Sequence, residues 1–141
     1  MAFQIALITL TLTATIAAAQ QAVSPSIAQA GIYSAAQAKR GASLYQKHCS
    51  SCHGTESSGS EGAPPLRGAD FDMNWNGTKL TDLFDRIKTT MPQTAPGSLT
   101  DEQYADVLAF ILSMNDVAVG SNDLAPRPEV LGGLTYKARA R

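Results

Sequence analysis

Cys49-Ser50-Ser51-Cys52-His53 constrains this chain more than any other stretch. The pentapeptide takes both cysteines and one of the two histidines of the 141-residue sequence. C-x-x-C-H is the spacing of c-type haem attachment. Two thiols three positions apart can each form a thioether to one porphyrin vinyl group. The histidine that follows is then delivered to one face of the iron. Other readings of paired cysteines fit less well. A structural zinc site wants four ligands, usually mostly cysteine, and only His48, adjacent to Cys49, remains in the Cys/His pool. A thioredoxin-like pair belongs beside a βαβ pattern, and no run of buried strands is visible. A Cys49–Cys52 disulfide would leave His53 unexplained. The expected cofactor is therefore one covalent haem c with its iron.

The N-terminus agrees with this. Residues 1–19 carry no charged side chain, run apolar through Ile5 to Ile16, and end in Ala17-Ala18-Ala19-Gln20. That pattern reads as a secretory signal peptide and a periplasmic destination. The alternative is an uncleaved anchor, although threonines at 9, 11, 13 and 15 interrupt a stretch short for a spanning helix. Balanced charge, with 11 Lys+Arg against 12 Asp+Glu, argues against nucleic acid, which normally requires a strongly basic face. Aromatic residues are only 6% of the chain, so a haem would supply much of the missing apolar bulk.

Helix signals organise the rest. Residues 20–33 read as a mobile small-residue linker. Ser34 reads as an N-cap with Gln37 as its capping-box partner, opening a helix from Ala35 to about His48. Gly41 inside that helix costs about 1 kcal/mol against alanine, which suggests a close approach. Asn74 to Gly77 reads as a turn. A helix from Asp82 to Lys88 capped by Thr81 follows, with Leu83, Phe84 and Ile87 on one face. The clearest helix is capped by Thr100 and boxed by Gln103. Its apolar stripe is Tyr104, Val107, Leu108 and Ile111, and it stops near Asn115. Residues 34–116 form the expected domain, and 117–141 an irregular tail. The expected architecture is all-α, three or four helices and long loops around one haem.

The second axial ligand decides the chemistry, because Met/His ligation makes a six-coordinate electron carrier. The candidates are Met73, Met91, Met114 and His48. His48 adjoins Cys49 and cannot reach the opposite face. Met114 ends an amphipathic helix, and Met73, near Trp75, reads as a packing residue. Met91 lies in a proline-bounded loop, and Pro92 biases it towards extended backbone. Iron ligation is assigned to His53 and Met91.

Cys49-x-x-Cys52-His53, Pro64-x-Leu66-x-Gly68, Trp75, Met91-Pro92 and Tyr104-x-x-Val107-Leu108-x-Phe110-Ile111 occur in one order. In that order they resemble class I cytochrome c over residues 34–116. The pentapeptide is highly specific; the other motifs are individually weak. The resemblance implies that the first and last helices cross, with Gly41 and Tyr45 meeting the helix of Tyr104, Leu108 and Ile111. It implies that the Pro64 carbonyl accepts a hydrogen bond from His53 Nδ1, and that Trp75 sits near a haem propionate. The loop from Met91 into Thr100 is most similar to bacterial cytochromes that accompany quinoprotein dehydrogenases.

The expected function is a periplasmic one-electron carrier that is not itself an enzyme. It would pass electrons between a dehydrogenase and an oxidase or other cytochrome. The alternatives are a cytochrome subunit docked to a larger dehydrogenase through the tail, or a haem enzyme or gas sensor with an open sixth site.

Overall fold

The computed structural model describes residues 31–60 and 62–139. The expected signal peptide (1–19) and most of the expected linker lie outside these residues. Within them the regular structure is almost entirely helical, with long loops between the elements. In order come β1 (Tyr33–Ser34), α1 (Ala35–His48), α2 (Ser50–His53), α3 (Gly68–Trp75) and α4 (Leu80–Thr90). Then follow α5 (Asp101–Met114), β2 (Val119–Gly120) and α6 (Pro128–Gly133). The two strands form one short parallel pair, Tyr33 opposite Val119. The all-α expectation holds, with six helices among the described residues rather than three or four.

The frame is the crossing of α1 and α5. At the crossing α1 presents Gly41, where an added Cβ would lie 1.8 Å from the Asp106 carbonyl oxygen. Only a residue without a side chain lets the two backbones come that close. One turn along, the rings of Tyr45 and Phe110 stack at a tilt, centroids 5.2 Å apart. The expected crossing is present: Gly41 meets the helix that carries the Tyr104–Leu108–Ile111 stripe, at Asp106 and Phe110. That stripe packs elsewhere, because α5 is buried on nearly all sides from Tyr104 to Leu112. A helix apolar all round is a core helix, and α4 with the C-terminal segment covers what α1 leaves.

Helix starts are partly as read. Thr100 and Gln103 form the reciprocal capping box of α5. Ser34 caps α1 by accepting from Gln37 N–H at 3.0 Å. The Gln37 side chain, expected to complete a box, is buried and pairs with the Leu124 backbone instead, accepting from its N–H and donating to its carbonyl. Thr81 does not cap α4: the helix begins at Leu80 with Lys79 as N-cap, which makes no side-chain capping bond. The expected turn at Asn74–Gly77 is the end of α3, a helix absent from the sequence reading.

Buried residues extend on both sides of the segment 34–116. Tyr33, assigned to the linker, is 1% exposed and donates its hydroxyl to the Val117 carbonyl at 2.7 Å. The tail is not a loose appendage. Val117, Leu124, Leu131 and Tyr136 are all core residues. Residues 134–136 add a short backbone ladder to 77–80, through Leu80 N to Leu134 O, Tyr136 N to Thr78 O, and Gly77 N to Tyr136 O. Each of those apolar side chains removes enough surface from water to be worth about 1.5–3 kcal/mol, so the segment belongs to the domain. Among the described residues no helix is long and apolar enough to cross a membrane.

Candidate haem-binding site

The pentapeptide is wound into one helical turn. Cys49 leaves helical geometry and ends α1, its N–H still bonded to Tyr45 O at 2.8 Å. Its carbonyl then accepts from His53 N–H at 2.9 Å, starting α2. Gly54, at φ 79°, ends that turn in a conformation that favours glycine. Cys49, Cys52 and His53 thus stand at i, i+3 and i+4, neighbours on one side of a helix. Both cysteines are free thiols, Cys49 half-buried and Cys52 exposed. Burial, helped by the adjacent Cys52, pushes the Cys49 thiol up to about 11.

The loop after α2 folds back on it. Gly59 N–H bonds to His53 O, and the Ser60 hydroxyl bonds to Cys52 O. The Tyr45 hydroxyl, arriving from α1, donates to Gly54 O at 2.6 Å. Further on, Leu66 N–H returns to Ser57 O. Asn115, 3% exposed at the end of α5, donates to Leu66 O at 2.9 Å and accepts from Gly68 N–H at 3.0 Å. The stretch Leu66–Gly68 is therefore held from both ends.

That places Pro64 against the histidine. His53 is 6% exposed, and its Nδ1 lies 2.9 Å from the Pro64 carbonyl oxygen. A carbonyl can only accept, so Nδ1 carries the proton. In a neutral imidazole that leaves the Nε2 lone pair for a metal, and the ring cannot rotate without losing the bond. Such a partner fixes both tautomer and orientation of a ligating histidine. The contact expected between His53 and Pro64 is present.

Met91 is the C-cap of α4, with extended backbone at φ −127° and ψ 150°, the bias expected from Pro92. Its N–H donates to Ile87 O at 2.9 Å and its carbonyl accepts from the Tyr104 hydroxyl at 2.8 Å. Trp75 is half-buried at the end of α3, its ring 6.4 Å from Phe71. Met73, expected to pack, is 77% exposed, while Met114 is partly buried against the core. Three contributors escaped the sequence reading: the hydroxyls of Tyr45 and Tyr104, and the amide of Asn115. Both tyrosines belong to apolar stripes that gave no hint of the carbonyls their hydroxyls reach. Asn115 sat where the helix pattern merely stopped.

The donor set fits one covalent haem. Two unpaired thiols and one oriented imidazole nitrogen share one helical turn, and no group of three or more His, Cys, Asp or Glu among the described residues could hold a bare metal ion.

Comparison with known proteins agrees. Residues 36–111, more than half of the chain, match the family described as cytochrome c oxidase, cbb3-type, subunit III. Over 80 residues the chain is 36% identical to the thiosulfate dehydrogenase of Allochromatium vinosum, covering 52% of this chain and 30% of that protein. The chain thus spans under a third of that relative. The fold is similar to a chain in the crystal structure of the sulfane dehydrogenase SoxCD from Paracoccus pantotrophus. There the TM-score is 0.50 with 19% identity, over 77% of this chain and 62% of that one. The chain belongs to the cytochrome c family of cbb3-type oxidase subunit III, and its cofactor is covalently bound haem c with its iron.

Proposed function

We propose that the chain is a periplasmic one-electron carrier with His/Met axial ligation. Cys49 and Cys52 would hold the haem as thioethers, and His53 Nε2 and the Met91 sulfur would hold the iron. The haem supplies the redox chemistry, a one-electron change at iron. The protein residues orient and shield it. The observation that carries the reading is the bond between His53 Nδ1 and the Pro64 carbonyl, 2.9 Å long. It orients a histidine that directly follows two free thiols. Met91, anchored through both backbone groups, is the thioether donor best suited to the opposite face. Met/His ligation raises the reduction potential. Trp75 is assigned to a propionate by resemblance.

The leader at 1–19 is proposed to be removed on export, leaving a carrier that makes no bond of its own. Its electron donor is proposed to be a periplasmic dehydrogenase and its acceptor an oxidase or another cytochrome. The sequence resemblance suggests a quinoprotein donor. The relatives described above are thiosulfate and sulfane dehydrogenases by name, which favours a second reading: a cytochrome component of a dehydrogenase that oxidises a sulfur compound.

Visible spectra of the haem-loaded protein test the ligation. A low-spin spectrum, a weak iron–sulfur band in the oxidised form and indifference of the reduced form to carbon monoxide are expected. Met91→Ala should abolish the band and open the iron to carbon monoxide. A high-spin wild type that binds carbon monoxide readily would refute the carrier reading.

A further inference from the structure

We infer that Tyr104 is a positioning residue for Met91, holding the methionine loop shut against the iron; this rests on the proposed Met91 ligation. The loop from Met91 to Thr100 runs between α4 and α5, and its internal bonds are few: Ala95 N to Pro92 O and Ser98 N to Ala95 O. Pro92 has no N–H to give. A loop so lightly bonded depends on its stem to define where the first residue points.

The stem has two cross-links. Lys88 Nζ, near the end of α4, lies 2.7 Å from Asp101 at the start of α5, with both side chains 40–46% exposed. Exposed pairs of this kind are worth little. The other link starts from a buried residue and is itself partly buried. The Tyr104 ring is 1% exposed and stands edge-on to Phe84, centroids 6.5 Å apart. Its hydroxyl donates to Met91 O at 2.8 Å. With Met91 N–H already on Ile87 O, both backbone groups of the residue are fixed, one by α4 and one by α5. Only the side-chain torsions remain to place the sulfur. Without the phenol, a carbonyl beside the core would be left without its partner, and the loop could swing out with less loss.

The test uses haem-loaded protein. Tyr104→Phe keeps the ring and deletes the donor. A carbon monoxide association rate to the reduced form raised about three- to tenfold is expected, the scale of one lost hydrogen bond. A weakened iron–sulfur band in the oxidised form should accompany it. Lys88→Ala should change the rate less than about twofold. p-Aminophenylalanine at 104, which restores a donor on the same ring, should bring the rate back towards wild type. It also serves if Tyr104→Phe folds poorly. Met91→Ala separates the two claims. If it abolishes the band while Tyr104→Phe equals wild type, the positioning role is overturned and the ligand stands. If Met91→Ala leaves the spectrum unchanged, the ligand assignment falls and takes the positioning role with it. An increase in Tyr104→Phe that p-aminophenylalanine does not reverse would also overturn it, as a packing effect.

Discussion

Gly41 and Asp106 meet backbone to backbone, with no room for even a methyl group between α1 and the Asp106 carbonyl. Gly41→Ala is the mildest substitution and still forces the helices apart. Alanine gains about 1 kcal/mol of helix propensity, while overpacking costs typically ~1–3 kcal/mol. The clash is with backbone, which cannot rotate away, so the cost should sit at the upper end and win. Urea unfolding should show a lowered midpoint. An unchanged or raised midpoint would mean that the crossing is looser than this.

Asn115→Ala should be costly for a surface-sized change. The amide side chain serves Leu66 O, Ile111 O and Gly68 N–H at once, and leaving buried backbone groups unpaired costs about 1–3 kcal/mol. Because Leu66 and Gly68 directly follow the segment that presents Pro64, the variant should also loosen His53. Ring resonances of His53 in the reduced protein should broaden or shift while the α1–α5 contacts keep their positions.

Truncation after Asn115 should prevent stable folding. Val117, Leu124 and Leu131 alone account for about 5–9 kcal/mol of buried apolar surface, against a total stability of about 5–15 kcal/mol for a domain. The helical circular dichroism signal and the cooperative thermal unfolding transition should both be lost. Docking through the tail therefore has to be tested by charge substitution. Lys137→Ala with Arg139→Ala touches exposed residues and should leave folding intact. A slower reduction by the native donor would then identify the tail as a contact.

Acid should weaken the link between the tail and α1. Asp123 accepts from the Ser34 hydroxyl and from Arg40, and these bonds, Ser34 first, hold its carboxyl below the usual range. A group with a depressed folded pKa contributes stability above its unfolded value near 3.9. That contribution is lost as pH falls through the lower folded value. Asp123→Asn should therefore be less stable than wild type at neutral pH, and the difference should shrink below about pH 4. Since the carboxylate is half exposed, the effect should be small and reduced by salt. A gap that persists at low pH would show the loss to be packing rather than charge.

How much the sequence held depends on the range of the interaction. The capping box at Thr100 and the cap at Ser34 are made by residues within three positions of each other, so spacing alone revealed them. The attachment motif and the family followed from the same short range. Thr81 misled because a good capping residue lay one position after the residue that starts the helix. Gln37 misled because its side chain found a partner 87 positions away in Leu124.

What tertiary structure decided lies at such distances. Gly41 signalled a close approach but not its partner, since that depends on how two helices 65 positions apart cross. Tyr136 and Leu131 looked like parts of an irregular tail because their apolar spacing is too sparse to show a helix or strand. They become core because α3 and α4 offer them an uncovered face. The sequence by itself determined which chemistry the chain can carry, since two thiols and an imidazole at fixed offsets suit few cofactors. Only the folded chain decided how the proposed ligands are held: by the Pro64 carbonyl on His53 and the Tyr104 hydroxyl on Met91. A hydrogen bond needs its partners within about 3 Å, and only folding brings residues that far apart in sequence to that distance.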